Sequence, residues 1–295
     1  MILKNTPIEE ITINKQSFYI KRDDLLHEQF SGNKARKFAY FLDNEFNNIK
    51  KLISYGSVQA NSLYSFSALA KLKGWEFDFY VDHMPNHIKE NPRGNYKGAI
   101  ENGANIIVNS DFDPDNLKLA NNEIFIPEGG RYHTSEYGIS ILAGELKQWI
   151  DEQNLKYDDI KIMLPSGTGT TSLFLQKNLP ENLEVLTVAC VGGDEYLKKQ
   201  FFELESDEKY HPTILQTTKK YHFGKLYKEN YEIYKQLKEE TGIEFELLYD
   251  PIAWNTIINS TFNIKNSTLI YIHQGGLKGN ETMLERYERK YKNDK

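Results

Sequence analysis

Apolar and polar positions along this chain fall into blocks that switch between a period of two and a period near 3.6. Phe18–Ile20 reads as a short strand running into Lys21-Arg22-Asp23-Asp24, and Ala35, Phe38, Ala39 and Leu42 recur at helical spacing across Lys34–Phe46. Ser31-Gly32-Asn33 precedes that helix and sets Lys34 in its first turn. The pattern then predicts strand Lys51–Tyr55, helix Asn61–Lys73, strand Glu76–Val81 and helix Gly94–Asn102, closed by Gly103. Strands Ile106–Val108 and Ile124–Pro127 come next, the second ending at Gly129-Gly130. Helix Tyr137–Asp151, strand Ile160–Leu164, helix Thr171–Lys177 and strand Leu183–Val191 follow. Helices are expected at Glu195–Glu205 and at Lys228–Thr241, which Gly242 ends. Ser267–His273 reads as a strand before Gln274-Gly275-Gly276, and Leu277–Lys295 as a charged helix whose last residues fray.

Strands alternating with helices in this way predict an α/β fold, with helices packed on mostly parallel sheets. In such sheets ligands bind beyond the carboxyl ends of the strands. Attention therefore goes to the loops around Asn33, Gln59, Gly167 and Gly275.

Composition sets the outer bounds. With 295 residues, 39% hydrophobic and 26% charged, the chain can fill two modest domains or one large domain carrying an inserted lobe. Nineteen Tyr and 16 Phe make aromatic burial a large part of the core. A net charge of -6 argues against a broad nucleic-acid surface and against an anionic membrane, both of which need surplus Lys and Arg. Cys190 stands alone and has no intrachain disulfide partner; within the apolar run Val185–Val191 it reads as a small buried hydrophobe rather than a nucleophile. No apolar run reaches membrane-spanning length, so a reducing cytoplasm is the expected compartment.

The loop Pro165-Ser166-Gly167-Thr168-Gly169-Thr170-Thr171 follows a buried strand and opens a helix. Two glycines let the backbone turn its amides toward one point, hydroxyls add donors, and the helix dipole favours an anion. A Ser/Thr helix cap in a glycine turn explains the same residues, and the sequence leaves both open. A nucleotide P-loop does not fit, since no Lys follows the second Gly, and Ser172 stands where a Rossmann fingerprint needs its third Gly. Lys34, taken alone, is either a solvated charge or a placed amine.

The order of several motifs adds to this. Lys21-Arg22-Asp23-Asp24 followed by Ser31-Gly32-Asn33-Lys34-Ala35-Arg36-Lys37 resembles the start of the aminocyclopropanecarboxylate deaminase and D-cysteine desulfhydrase family. Gly56-Ser57-Val58-Gln59-Ala60-Asn61, Pro92-Arg93-Gly94-Asn95, Ile126-Pro127-Glu128-Gly129-Gly130, Gly167–Thr171, Asp250-Pro251-Ile252 and His273-Gln274-Gly275-Gly276-Leu277 continue the match in order across nearly the whole chain. The resemblance implies fold type II of the pyridoxal-phosphate enzymes, two three-layer α/β/α domains with mostly parallel sheets. Residues 1–45 plus 146–295 would form the large cofactor-binding domain and 46–145 a small α/β domain.

It further implies pyridoxal 5'-phosphate as cofactor, Lys34 as its Schiff-base lysine and Lys37 near its phosphate. Gly167, Thr168, Gly169, Thr170 and Thr171 would surround that phosphate. Asn61 would lie beside the phenolic oxygen, with Gln59 and Asn61 near a substrate carboxylate. Tyr227, in Phe223-Gly224-Lys225-Leu226-Tyr227, matches an active-site tyrosine of the family or is an ordinary buried or surface aromatic. No metal is expected.

The chain departs from the family in three places. Its Gln-Ser-Asn serine is Ala60, and the Tyr and ring-nitrogen partner expected after the Asp-Pro segment read Ala253-Trp254. Gln274 replaces a threonine, a milder change because an amide still donates and accepts. The expected function is a lyase or deaminase releasing ammonia and a keto acid from a small amino acid such as D-cysteine, in a homodimer. The alternatives are a racemase or other β-eliminating enzyme, or a homologue that binds the cofactor without turnover.

Overall fold

The structure, a computed structural model, describes residues 3, 5–30, 32–259 and 267–292. Ser31 and the last three residues of the tail lie outside them.

The chain opens with β1 (Ile8–Ile13) and β2 (Gln16–Lys21), then α1 (Gly32–Asp43), β3 (Lys51–Tyr55), α2 (Asn61–Lys73) and β4 (Glu76–Val81). It continues through α3 (Asn86–Glu90), α4 (Gly94–Glu101), β5 (Asn105–Val108), β6 (Glu123–Phe125), α5 (Ser135–Glu152) and β7 (Ile160–Ser166). It ends with α6 (Thr170–Asn178), β8 (Glu184–Ala189), α7 (Asp194–Phe202), β9 (Thr213–Ile214), α8 (Lys228–Thr241), α9 (Asp250–Asn259), β10 (Thr268–Ile272) and α10 (Asn280–Tyr291).

Two sheets result. The larger runs β1-β2-β10-β7-β8-β9 and is parallel except where β1 pairs antiparallel with β2. The smaller runs β5-β4-β3-β6 and is parallel throughout. A parallel sheet needs cover on both faces, and the strands show it. In β7, Ile162 and Leu164 join Ile139, Leu142 and Leu146 of α5 and Phe174 of α6. The intervening Met163 joins Leu237 of α8 and Trp254 of α9 on the opposite face. Around the smaller sheet, Leu52, Phe77 and Phe79 pack with Phe38, Phe41 and Leu42 of α1 and with Leu63 and Phe66 of α2. The apolar face of α1 thus belongs to the smaller sheet's core, although α1 falls within residues 1–45.

Four elements escape the sequence pattern: the short α3 and β9, and β1 and α9, for which the reason is plain. β1 is joined to β2 by a two-residue turn in which Asn14 and Lys15 both have positive φ, 50° and 64°. That is the hairpin geometry usually flagged by Asn-Gly, and a lysine in the second place hides it. α9 is buried nearly all round, including Ile252, Ala253, Trp254 and Ile257, so no amphipathic period marks it.

Beneath α1 lies a network of buried charge. The Arg36 guanidinium donates to both Asp23 oxygens at 2.9 and 2.8 Å and to both Glu145 oxygens at 2.8 and 2.7 Å. Lys21 Nζ meets Glu145 Oε2 at 2.7 Å, and Thr6 Oγ1 donates to Asp23 Oδ1 at 2.7 Å. Arg36, Lys21 and Asp23 are almost wholly excluded from solvent, so this cluster fixes α1 to α5 and to the segment after β2.

Candidate active site

A cavity of about 920 Å³ opens where the two sheets face each other, and strand-following loops line it. Ser57 and Asn61 follow β3, Glu128 and Gly129 follow β6, Gly167–Thr171 follow β7, and Gln274-Gly275 follow β10. Gln274 Nε2 donates to the Pro165 carbonyl at 2.8 Å, and Asn33 N donates to the Gln274 carbonyl at 3.2 Å. These two bonds bring the start of α1 against the loop that opens α6.

That loop is a helix start without a side-chain cap. Gly169, at φ 71°, is the N-cap residue of α6, and no side chain caps its first turn. The Ser/Thr cap that the sequence left open is therefore absent, and the first-turn amides keep their need for an acceptor. Ser166 and Ser172 are instead spent on each other at 2.8 Å. Thr168 and Thr170 hydroxyls lie 3.1 Å apart and line the cavity. Gly169 has no room for a side chain, since a Cβ would stand 2.5 Å from the Phe201 ring and 2.6 Å from Leu197.

Lys37 completes the anion cradle. It is 3% exposed, and its ammonium donates to the Gly129 carbonyl at 3.0 Å. A Cβ on Gly129 would in turn stand 3.2 Å from the Thr168 methyl, which places Lys37 beside the glycine–threonine turn. No carboxylate pairs with Lys37 among the described residues. Burial, with the charge of Lys34 adding to it, pushes the Lys37 amine well below its ordinary range. A buried amine beside uncapped amides is suited to an anion, whose charge would hold the proton on Lys37.

Lys34 lies in the same cavity, 8% exposed, with Nζ 3.4 Å from Asn33 Oδ1. Burial pulls its pKa down to about 8, while the carboxylates of Glu128 and Glu246 hold it from falling further. A useful share of free amine is therefore present near neutrality. Asn61 accepts from Asn95 Nδ2 at 2.8 Å, and Gln59 donates through Nε2 to the Arg93 carbonyl at 3.2 Å. Both line the cavity.

Lys34, Lys37, Gln59, Asn61 and Gly167 to Thr171 all come together in this one cavity. Tyr227 does not. It precedes α8, its hydroxyl accepts from the His222 amide at 2.9 Å, and its ring packs on Tyr221 at 5.0 Å. Ala253 and Trp254 are equally remote from it, both 0% exposed in the core, with Trp254 packed against Phe18 and Tyr271.

What lines the cavity from this region is Tyr249 and Asp250, the last residue before α9 and its first. A Tyr-plus-acid pair, sought at positions 253 and 254 after Pro251, stands instead at positions 249 and 250, just before that proline. Asp250 Oδ1 accepts from Tyr271 Oη at 2.5 Å and Oδ2 from the Glu246 amide at 2.9 Å. Burial pushes the Asp250 carboxyl up, opposed by His273 and by these donors. Burial also drives the Tyr249 phenol up, with Glu246, Cys190 and Glu128 adding to it. A Cβ on Gly167 would meet the Tyr249 ring at 3.4 Å, so this tyrosine borders the anion turn. Only the adjacency of Tyr and Asp could have flagged the pair from sequence.

With this geometry in hand, comparison with known proteins is direct. A solved structure described as an ACC deaminase homologue superposes with a TM-score of 0.77 and 22% identity, covering 97% of this chain and 94% of its own. A solved pyridoxal 5'-phosphate-dependent aspartate racemase gives 0.61 and 12%, covering 93% and 91%. The chain has fold type II of the pyridoxal-phosphate enzymes. Over nearly its full length it is also similar to a curated Thermotoga maritima protein named "Putative 1-aminocyclopropane-1-carboxylate deaminase", with 24% identity across 94% of this chain and 95% of that protein. No family model matches the chain. In this type II fold the cavity lies between the two sheets, as the loops above place it. Among the described residues no cluster suited to a metal occurs, and no helix is long and apolar enough to cross a membrane.

Proposed function

We propose that this protein is a pyridoxal-phosphate-dependent lyase or deaminase that acts on a small amino acid and releases ammonia and a keto acid, in the manner of a D-cysteine desulfhydrase or an aminocyclopropanecarboxylate deaminase. One observation carries the reading: a buried amine of lowered pKa, Lys34, shares a cavity with an uncapped helix start and a second buried amine, Lys37, that has no carboxylate partner among the described residues.

The residues fit the cofactor. Lys37, Gly167, Thr168, Gly169, Thr170 and Thr171 would hold its phosphate, and Asn61 its phenolic oxygen. Asp250 is the buried carboxylate suited to a protonated ring nitrogen. Bound, the cofactor supplies an aldehyde and a sink for electrons. Lys34 Nζ would be the amine that holds the cofactor's aldehyde and the base that takes the proton from the substrate's α-carbon. Gln59 and Asn61 offer neutral donors to a substrate carboxylate, and Tyr249 stands at the cavity wall beside the anion turn.

A binding homologue without turnover was motivated by three losses, at Ala60, Ala253 and Trp254. With Tyr249 and Asp250 lining the cavity, two of those motives fall away. The test is absorption. Purified protein mixed with pyridoxal phosphate should gain a visible band that borohydride bleaches, and Lys34→Ala should lack it. Mixing with D- and L-amino acids should then shift that band and release keto acid. A protein that stays colourless overturns the proposal.

A further inference from the structure

Elimination from an amino acid needs more than a base at the α-carbon, because a poor leaving group such as hydroxide or a thiolate must be protonated as it departs. The acids around Lys34 can be sorted by what occupies them. Asp250 has both oxygens engaged, by Tyr271 and by the Glu246 amide. Glu246 Oε2 accepts from the Leu248 and Tyr249 amides at 2.7 Å each, while its Oε1 has no hydrogen-bond partner but is sealed from the water that would have to return a proton to it. Glu90 and Glu285 also line the cavity, but Glu285 is paired with Arg93, and neither carboxylate is felt by Lys34.

Glu128 is different. It lines the cavity, its side chain is exposed into that space, and among the described residues it makes no hydrogen bond and no ion pair. It is also near enough to Lys34 for each to move the other's pKa. Its position is set by its neighbours. Gly129 at φ 71° turns the chain directly after it, and the Glu128 carboxyl lies against Gly56, where a Cβ would stand 2.9 Å from Oε1. Gly56 begins the loop that ends at Ala60 and Asn61, so the carboxyl leans on the segment that forms the substrate side of the cavity.

We propose that Glu128 is a catalytic acid of this site, donating the proton that the leaving group takes as it departs. The inference rests on the lyase reading above. In the step, the α-proton passes to Lys34 and its bonding pair becomes the second bond between the α- and β-carbons. The bond from the β-carbon to the leaving heteroatom breaks, and that heteroatom keeps the pair and receives the Glu128 proton. Glu128, left as carboxylate, is reprotonated from water. Partial burial raises the Glu128 pKa and Asp82 adds to it, while Lys34 opposes them; Tyr55 and Tyr249 are the other titrating groups that feel this carboxyl.

The experiment compares wild type with Glu128→Gln on two kinds of substrate. D- and L-serine or cysteine carry leaving groups that need a proton, whereas β-chloroalanine loses chloride unaided. Both proteins are first loaded with pyridoxal phosphate and their visible bands compared, so loss of cofactor is seen separately from loss of the acid. Exchange of the α-hydrogen in deuterated water, read by mass, reports the base step alone. The expected result is an unchanged band, retained exchange, keto acid from serine or cysteine slowed about 100-fold or more, and β-chloroalanine turned over within a few-fold of wild type. An equal loss on both substrate kinds, or no loss on either, overturns the assignment of Glu128 while leaving the lyase reading intact. Absence of the band, or of turnover in wild type, overturns both.

Discussion

Replacing Arg36 by Met should cost this protein about 3–5 kcal/mol of folding stability, a large part of the 5–15 kcal/mol that a typical domain possesses. Arg36 and Lys21 supply two cations and Asp23 and Glu145 two anions, in contacts of 2.7 to 2.9 Å at Arg36. Met fills much of the same volume but leaves two buried carboxylates to share one ammonium, and one negative charge goes uncompensated. Adding Glu145→Gln to Arg36→Met removes that surplus charge and should recover at least half of the loss. Urea unfolding at pH 7 followed by circular dichroism, on wild type, both single variants and the double, measures the cycle. A loss below about 1 kcal/mol for Arg36→Met, or a deeper loss on adding Glu145→Gln, would refute the argument. Because Lys34 and Lys37 flank Arg36 on one helix, the single variant should also bind pyridoxal phosphate less tightly.

Other predictions concern the site directly. Gly169→Ala forces a side chain into the Phe201 and Leu197 contact at a left-handed φ, so it should lower stability by about 2–4 kcal/mol and weaken cofactor binding, read by thermal melting and dialysis. Lys37→Met relieves a buried charge, so it should stabilise the cofactor-free protein while abolishing the gain in Tm that pyridoxal phosphate gives wild type. For Glu246, burial and then Asp250 raise the pKa from 4.5 to about 8. The folded state holds that proton more tightly, so its contribution is full below pH 4.5 and is lost as pH rises toward 8; Glu246→Gln should flatten stability across that window in a urea series. Lys34 has the opposite linkage, its pKa depressed from 10.5 to about 8, so Lys34→Met should remove a rise in stability between pH 8 and 10.5.

The fold was legible where period and punctuation agreed. β3, α2, β4 and α8 have the bounds that alternation, helical spacing and a closing glycine predict, Gly74 and Gly242 both taking left-handed caps. It was illegible where burial erased the period, as in α9, or where an unusual residue filled a turn, as at Lys15. The anion turn was visible because glycines and hydroxyls crowd one strand end, but only coordinates could show α6 starting without a side-chain cap. Tyr249 and Asp250 were missed for a related reason: a proline just after them drew the motif four residues downstream, into side chains that pack the core. Glu128 carried no signal at all, since a lone carboxylate between a proline and two glycines looks like solvated loop.

α1 has a consequence for how the two sheets are tied together. Its aromatic face is embedded with the smaller sheet, whereas the turn at Gly167–Thr171 grows from the larger one. A molecule held by Lys34 at one end and by that turn at the other would add a second tie between the sheets to the one that Arg36 and Glu145 already make through α5. Filled protein should therefore melt at a higher temperature than empty protein on calorimetry, each in a single step.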